Sequence, residues 1–246
     1  MAPPTRGSQI PGVTADLAQG LVYYIVFLVS TSAHEAAHAW AAFRGGDRTA
    51  YHGGQVSLSP VPHIRREPFG MVVLPLISVA LSGWPFGFAS APYDRRWAER
   101  YPRRAAWMAL AGPAANLVLV AVALVGIRAG AAAGVFTPPA GVEFGHLAES
   151  AAGGGWAVAA TLLGVVLSLN LMLAALNLLP FPPLDGSAAV PLLLDAGNTR
   201  RYQAFLWGNP ALGWIGILVA WQVFGYVFSP VFGFVVNLLY PGVTYG

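Results

Sequence analysis

The chain has 246 residues, of which 9% are charged and 56% hydrophobic, with a formal net charge of +3 and no cysteine. Soluble domains carry roughly 25% charged residues, so this chain cannot cover a water-facing surface, and its apolar content excludes disorder. What is left is an integral membrane protein without disulfides, thiolate metal sites or a cysteine nucleophile.

Leu17 to Phe43 is the first apolar stretch, long enough to cross a bilayer, which takes about 20 residues. It does not read as a signal peptide, because Arg6 is the single basic residue before it and the apolar run continues into a polar cluster. Gly45 to Pro60 is rich in glycine, and Gln55–Ser59 alternates with period two, which predicts a short β-hairpin. Phe69–Gly83 is apolar, short and interrupted by Pro75. Ala105–Ile127 and Trp156–Leu179 read as spanning helices, while Ser229-Pro230 splits Leu212–Tyr240 into one kinked span or a span plus a half-helix.

All 13 basic residues are arginines, and their use in so apolar a chain is orientation in the bilayer, not nucleic acid binding. Arg44, Arg48, Arg65 and Arg66 follow the first span, Arg95 to Arg104 precede the next, and Arg200 and Arg201 follow the Trp156 span. Residues 129–155 hold none, so the arginine-bearing loops are expected in the cytoplasm and 129–155 outside. Phe69–Gly83 must then enter and leave on one side, as a re-entrant segment, and the N-terminus lies outside. Trp84, Tyr93, Trp97, Tyr101 and Trp107 interleave with the arginines and predict a segment lying in the headgroup region.

The chemistry is concentrated in His34-Glu35-Ala36-Ala37-His38. Residues four apart share one helix face, so both imidazoles can meet one ion while Glu35 faces its bound water. Each ionisable group inside a membrane helix costs about 2.5–3.5 kcal/mol; three in five residues need a partner, and a zinc ion supplies one. The candidates for a third ligand are His52, His63, His146, Glu67, Asp94 and Asp185. The expected orientation favours Asp185, at the C-terminal end of a span that runs the same way as the first. The prolines around it end the helix there, and such backbone is tolerated at membrane depth only inside protein or beside a cavity.

His34–His38, Ala111-Gly112-Pro113-Ala114-Ala115-Asn116 and Asn177-Leu178-Leu179-Pro180-Phe181-Pro182-Pro183-Leu184-Asp185-Gly186 together resemble the site-2 protease family of intramembrane zinc metalloproteases. The likeness covers Ala33 to Gly186 and includes Ser57–Ile64 with the apolar segment after it. It is nearest to the compact bacterial type without PDZ or CBS domains. Where that family has Asp-Pro soon after the histidine, this chain has Arg65-Arg66-Glu67-Pro68, and Gly87–Asp94 lacks the family's lysine and asparagine.

The resemblance implies one zinc ion per chain on His34, His38 and Asp185, with Glu35 as general base and Asn177 bonding the substrate carbonyl or oxyanion. It implies a polytopic all-α protein with a three-helix catalytic core, a short β-hairpin, a re-entrant segment and a C-terminal helix or helix pair. One membrane-embedded protease domain is expected over 1–246, its core about 17–190 and its C-terminal extension about 200–246. The expected reaction is hydrolysis of peptide bonds in or near transmembrane segments of membrane proteins, at a multi-pass site near the cytoplasmic face of the cell membrane. Regulated intramembrane proteolysis is the setting the family suggests. The competing readings are a zinc-binding membrane scaffold and a metal transporter, neither cutting peptides. Asn116 is expected to bond another helix, with lining the site as the alternative, and Gly112 to let two backbones approach closely.

Overall fold

The computed structural model describes residues 11–242, with side chains described from residue 17 onward; Arg6 lies outside the described residues. Helix α1, Pro11–Gly45, holds the first apolar stretch, and its apolar part from Leu17 is long enough to cross a membrane. A four-residue helix α2, Thr49–His52, and a short α3, Pro60–Arg66, follow where the hairpin was expected.

The hairpin is absent, for a local reason. Asp47 accepts from both the backbone and the hydroxyl of Thr49, which starts a helical turn in place of a strand. Gln55 N then closes on the Ala50 carbonyl, and Ser57 Oγ accepts from Ser59 N. Ser59 in turn caps α3 by accepting from Val61 N. Among the described residues β-pairing is confined to two isolated bridges, Thr137 with Glu149 and Glu143 with His146.

One π-helical turn, Phe69–Val73, leads into α4, Leu74–Ser82, which Gly83 ends in a left-handed conformation. Phe69–Ser82 falls short of a span, because about 1.5 Å per residue cannot cover a hydrocarbon core of about 30 Å. The chain then turns back. Phe88 N donates to the Gly70 carbonyl at 3.0 Å, and Asp94 N to Asp47 Oδ2 at 2.7 Å, beside the end of α1.

Helix α5, Arg95–Arg100, is capped by Asp94, and α6, Pro102–Ala132, starts three residues before the predicted span because Pro102 and the two arginines after it form its first turn. Helix α7, Gly154–Asn177, ends two residues early, at Asn177. Beyond it lie α8, Asp185–Ala189, and α9, Ala196–Gly208, the latter capped by Asp195 through Gly197 N and Asn198 N. The last element, α10, Ala211–Leu239, runs unbroken through Pro230, whose missing N–H removes one bond of the ladder.

Helices α1, α6 and α7 pack on one another, and α10 leans on α7 with most of its surface outward; Tyr226 is 86% exposed. Such apolar exposure is what a lipid-facing helix shows. Four helices in all are long and apolar enough to span: α1, α6, α7 and α10. The expected row of interfacial aromatics divides. Trp107 is exposed, but Trp97 is buried with its Nε1 donating to the Gly45 carbonyl, and Trp84 packs on Tyr23 and Phe144. These two indoles fasten loops to α1.

Gly145 is a tight point in that fastening. Its φ is +81°, its N–H donates to Ser168 Oγ, and a Cβ there would meet the Tyr23 hydroxyl. Gly145→Ala is therefore expected to destabilise the fold by more than about 1 kcal/mol, read as a lower Tm in detergent; an unchanged Tm would show that this loop does not hold α1 to α7.

Candidate metal centre

His34, Glu35 and His38 lie on the buried side of α1, each less than a tenth exposed. Their donor atoms lie within 4.8 Å of one another. The helix carries the two imidazoles over one point because a four-residue step returns nearly to the same face. The Nε2 atoms of His34 and His38 are 2.9 Å apart. Asp185 Oδ2 closes the triangle, 3.1 Å from His34 Nε2 and 3.3 Å from His38 Nε2.

Asp185 arrives there because α7 stops at Asn177 and the proline-rich turn feeds directly into the first turn of α8. Gly186 is seated against the carbonyls of Leu178 and Leu179, where a Cβ would not fit, so the Asp-Gly pair folds back onto the end of α7. Burial works against the charge on Asp185, yet the neighbouring His38 and His34 rings hold its carboxyl down to about 2.

The donor set fits a zinc ion. Zn–N bonds of about 2.0–2.1 Å in a tetrahedron set ligand atoms about 3.3 Å apart, and the three separations here run from 2.9 to 3.3 Å. The second nitrogen of each ring is already engaged. His34 Nδ1 donates to Asn116 Oδ1 at 2.6 Å and His38 Nδ1 to the Met108 carbonyl at 2.8 Å, which turns both Nε2 lone pairs towards the common point. Beside them, the buried Glu35 Oε2 has no hydrogen-bond partner.

The other acidic and histidine candidates are engaged elsewhere. Asp94 caps α5, Glu67 accepts from Ser90 Oγ, and His146 pairs with Glu149 on the surface. His52 is exposed at the end of α2. His63 is buried, with Nε2 donating to the Ser57 carbonyl and Nδ1 left without a partner. Asn177 lines the same cavity of about 490 Å³ as Glu35, along with Thr31, Tyr202 and Trp207. One Asn177 amide proton goes to the Leu173 carbonyl.

Two residues play more specific parts than their sequence positions predict. Asn116 does bond another helix, at Asn170 of α7, but its carbonyl oxygen also holds His34. Gly112 does more than let backbones approach, because a Cβ on it would meet Nε2 of both His34 and His38. A methyl at this position would press on both imidazole nitrogens. Gly112→Ala is expected to remove most bound metal from a folded chain, measured as metal per polypeptide beside an unchanged far-UV spectrum; full metal content would show that α6 does not wall the site.

Comparison with known proteins shows the family. Residues 22–207 match peptidase family M50. A Bacillus subtilis (strain 168) protein named "Putative zinc metalloprotease YwhC" is 32% identical over 185 residues, covering 75% of this chain and 74% of its own length. "Putative zinc metalloprotease Rip2" of Mycolicibacterium smegmatis is 32% identical over 233 residues, 87% of this chain and 80% of that protein. No solved structure matches significantly. The match spans α1 to α9 and includes both halves of the donor set, so the chain belongs to peptidase family M50, as a metallopeptidase built into the membrane.

Proposed function

We propose that this metallopeptidase hydrolyses peptide bonds in or beside transmembrane segments of membrane proteins, with one zinc ion on His34, His38 and Asp185. The observation that carries this reading is the meeting of that donor set with an unpartnered Glu35 carboxylate in one cavity between apolar helices. A transporter or scaffold has no need of a buried base beside the ion.

When bound, zinc supplies an acidified water at neutral pH and a positive charge facing the substrate oxygen. Glu35 takes the proton of the attacking water on Oε2 and delivers it to the leaving amine. Asn177 has a second amide proton beyond the one given to Leu173, and that proton bonds the oxyanion. Thr31 and Glu35 line the same cavity.

The distribution of arginines supports a site near the cytoplasmic face. Nine of them cluster where α1 ends and α6 begins, and His38 is seven residues, about 10 Å along the helix, from Gly45. The arginine nearest the opposite end, Arg128, is engaged in donating to the Leu238 and Leu239 carbonyls at the end of α10. Phe69–Ser82 with its returning strand of chain then acts as the re-entrant segment, entering and leaving on that side.

A substrate helix hides its carbonyls and has to be drawn out before attack. Val56 and Leu58 make no backbone hydrogen bonds among the described residues. They line an apolar groove of about 470 Å³ with Ala33, Ala37, Trp40 and Val118. Unwound substrate pairs with this edge.

Elemental analysis and a model transmembrane substrate test the scheme together. Glu35→Gln is expected to keep about one zinc per chain and lose at least about 10²–10⁴-fold in cleavage, while His38→Ala and Asp185→Ala lose the zinc itself. Cleavage by Glu35→Gln at the wild-type rate would refute the base assignment. For the edge, Val56→Pro and Leu58→Pro should keep zinc and cut substrate slowly; wild-type rates in both would remove the pairing step.

A further inference from the structure

Behind the metal centre runs a chain of buried amides that ends on a backbone carbonyl. We propose that Asn170 and Asn116 are positioning residues that decide which nitrogen of His34 carries its proton, and so keep Nε2 open to the metal. This rests on the reading of His34 as a zinc ligand.

Asn116 of α6 and Asn170 of α7 are both fully buried, at 0% exposure, in otherwise apolar surroundings. An amide can turn over, exchanging its oxygen for its nitrogen at nearly the same shape. Were Asn116 turned over, its NH₂ would face His34 Nδ1 and require a bare nitrogen there. The imidazole proton would then sit on Nε2, the atom aimed at Asp185 and His38. A protonated Nε2 cannot ligate.

The direction of the chain forbids that state. The Val166 carbonyl can only accept, so the Asn170 atom 2.8 Å from it has to be the amide nitrogen. The same nitrogen reaches Ser30 Oγ at 2.9 Å, which uses its second proton. Asn170 Oδ1 is thereby turned to Asn116 and can only accept, so Asn116 must present Nδ2, at 2.8 Å. Asn116 Oδ1 is left facing His34 Nδ1 at 2.6 Å, and the proton has to be on that nitrogen. Ser30, whose hydroxyl rotates freely, imposes no direction of its own.

His38 reaches the same state by a shorter route, donating Nδ1–H straight to the Met108 carbonyl. Both Nε2 lone pairs are thus fixed by backbone carbonyls, one at first hand and one through two side chains. A turn of either amide would bring two donors or two acceptors together, which in a buried, water-poor place is costly.

Zinc affinity by chelator competition, on the full detergent-purified chain, separates positioning from packing. Asn170→Leu frees the Asn116 amide to turn and is expected to weaken zinc binding by about 10- to 100-fold. Adding Asn116→Asp should recover most of that loss, since a carboxylate presents an oxygen to His34 Nδ1 whichever way it faces. Unchanged affinity in Asn170→Leu overturns the relay, and so does a double variant as weak as the single one. His34→Ala stands beside them: wild-type zinc affinity in that variant would overturn His34 as a ligand. Nitrogen-15 NMR of labelled histidine in metal-free wild type tests the relay without any substitution or metal. A proton on His34 Nδ1 that persists into alkaline pH is expected; a bare Nδ1 overturns the relay even if Asn170→Leu does not fold.

Discussion

Everything at the active end of this protein follows from placing three ionisable side chains in five residues of an apolar helix. Each such group carries a cost of about 2.5–3.5 kcal/mol at membrane depth, and α1 has no water of its own to offset it. The neighbours supply what is missing: Met108 and Asn116 from α6, Asn170 from α7 at one remove, and Asp185 from α8. Three helices and a turn are therefore bound together by the needs of one pentapeptide. The packing of α1, α6 and α7 is as much a consequence of that demand as of their apolar faces.

The same demand explains why α6 has glycine and proline where a spanning helix would favour leucine. Pro113 gives no N–H to the Ala109 carbonyl one turn back, and next to that gap in the ladder the Met108 carbonyl is shared with His38. Gly112 leaves a hollow for the two imidazole edges. Helix propensity is sacrificed at this turn because the space and the acceptor matter more. In a bilayer the loss is bearable, since an apolar helix in lipid has no better way to satisfy its backbone.

Much of this was legible in the sequence, and what was not has a common cause. Four spans can be read from runs of apolar residues, because the bilayer imposes a length. The histidine pair is legible because a four-residue step fixes a shared face whatever surrounds it. Helix direction favours Asp185 and the family resemblance implies it, and the structure does bring it to the histidines. The Gly45–Pro60 hairpin failed because alternation over five residues says nothing of Asp47, whose side chain starts a helical turn and also holds Asp94, 47 residues on. Trp84 and Trp97 looked interfacial by company, yet their neighbours in space are Tyr23 and Gly45. Asn170 stands inside the apolar run of α7, but its side-chain partners sit 54 and 140 residues away. Contacts of that range are set by which helix faces meet, and composition does not carry that.

The two ends of the bundle divide stability from access. Away from the metal, Val120 and Ile127 of α6, Leu167 of α7, Leu147 of the connecting loop and Leu239 of α10 form one closed core. That core is tied off by Arg128 on the last carbonyls of α10 and by the Tyr240 hydroxyl on the Leu147 carbonyl. The metal end has a smaller apolar cluster, Ala42, Trp97, Ala98 and Met108. There α9, the returning segment before α5 and the turn before α8 enclose a cavity of about 490 Å³. Fewer packed side chains at this end leave less burial to hold it, so the surrounding fold is secured elsewhere. The position of the closed core, at the end remote from His34 and Asp185, is what allows the other end to stay open to a peptide.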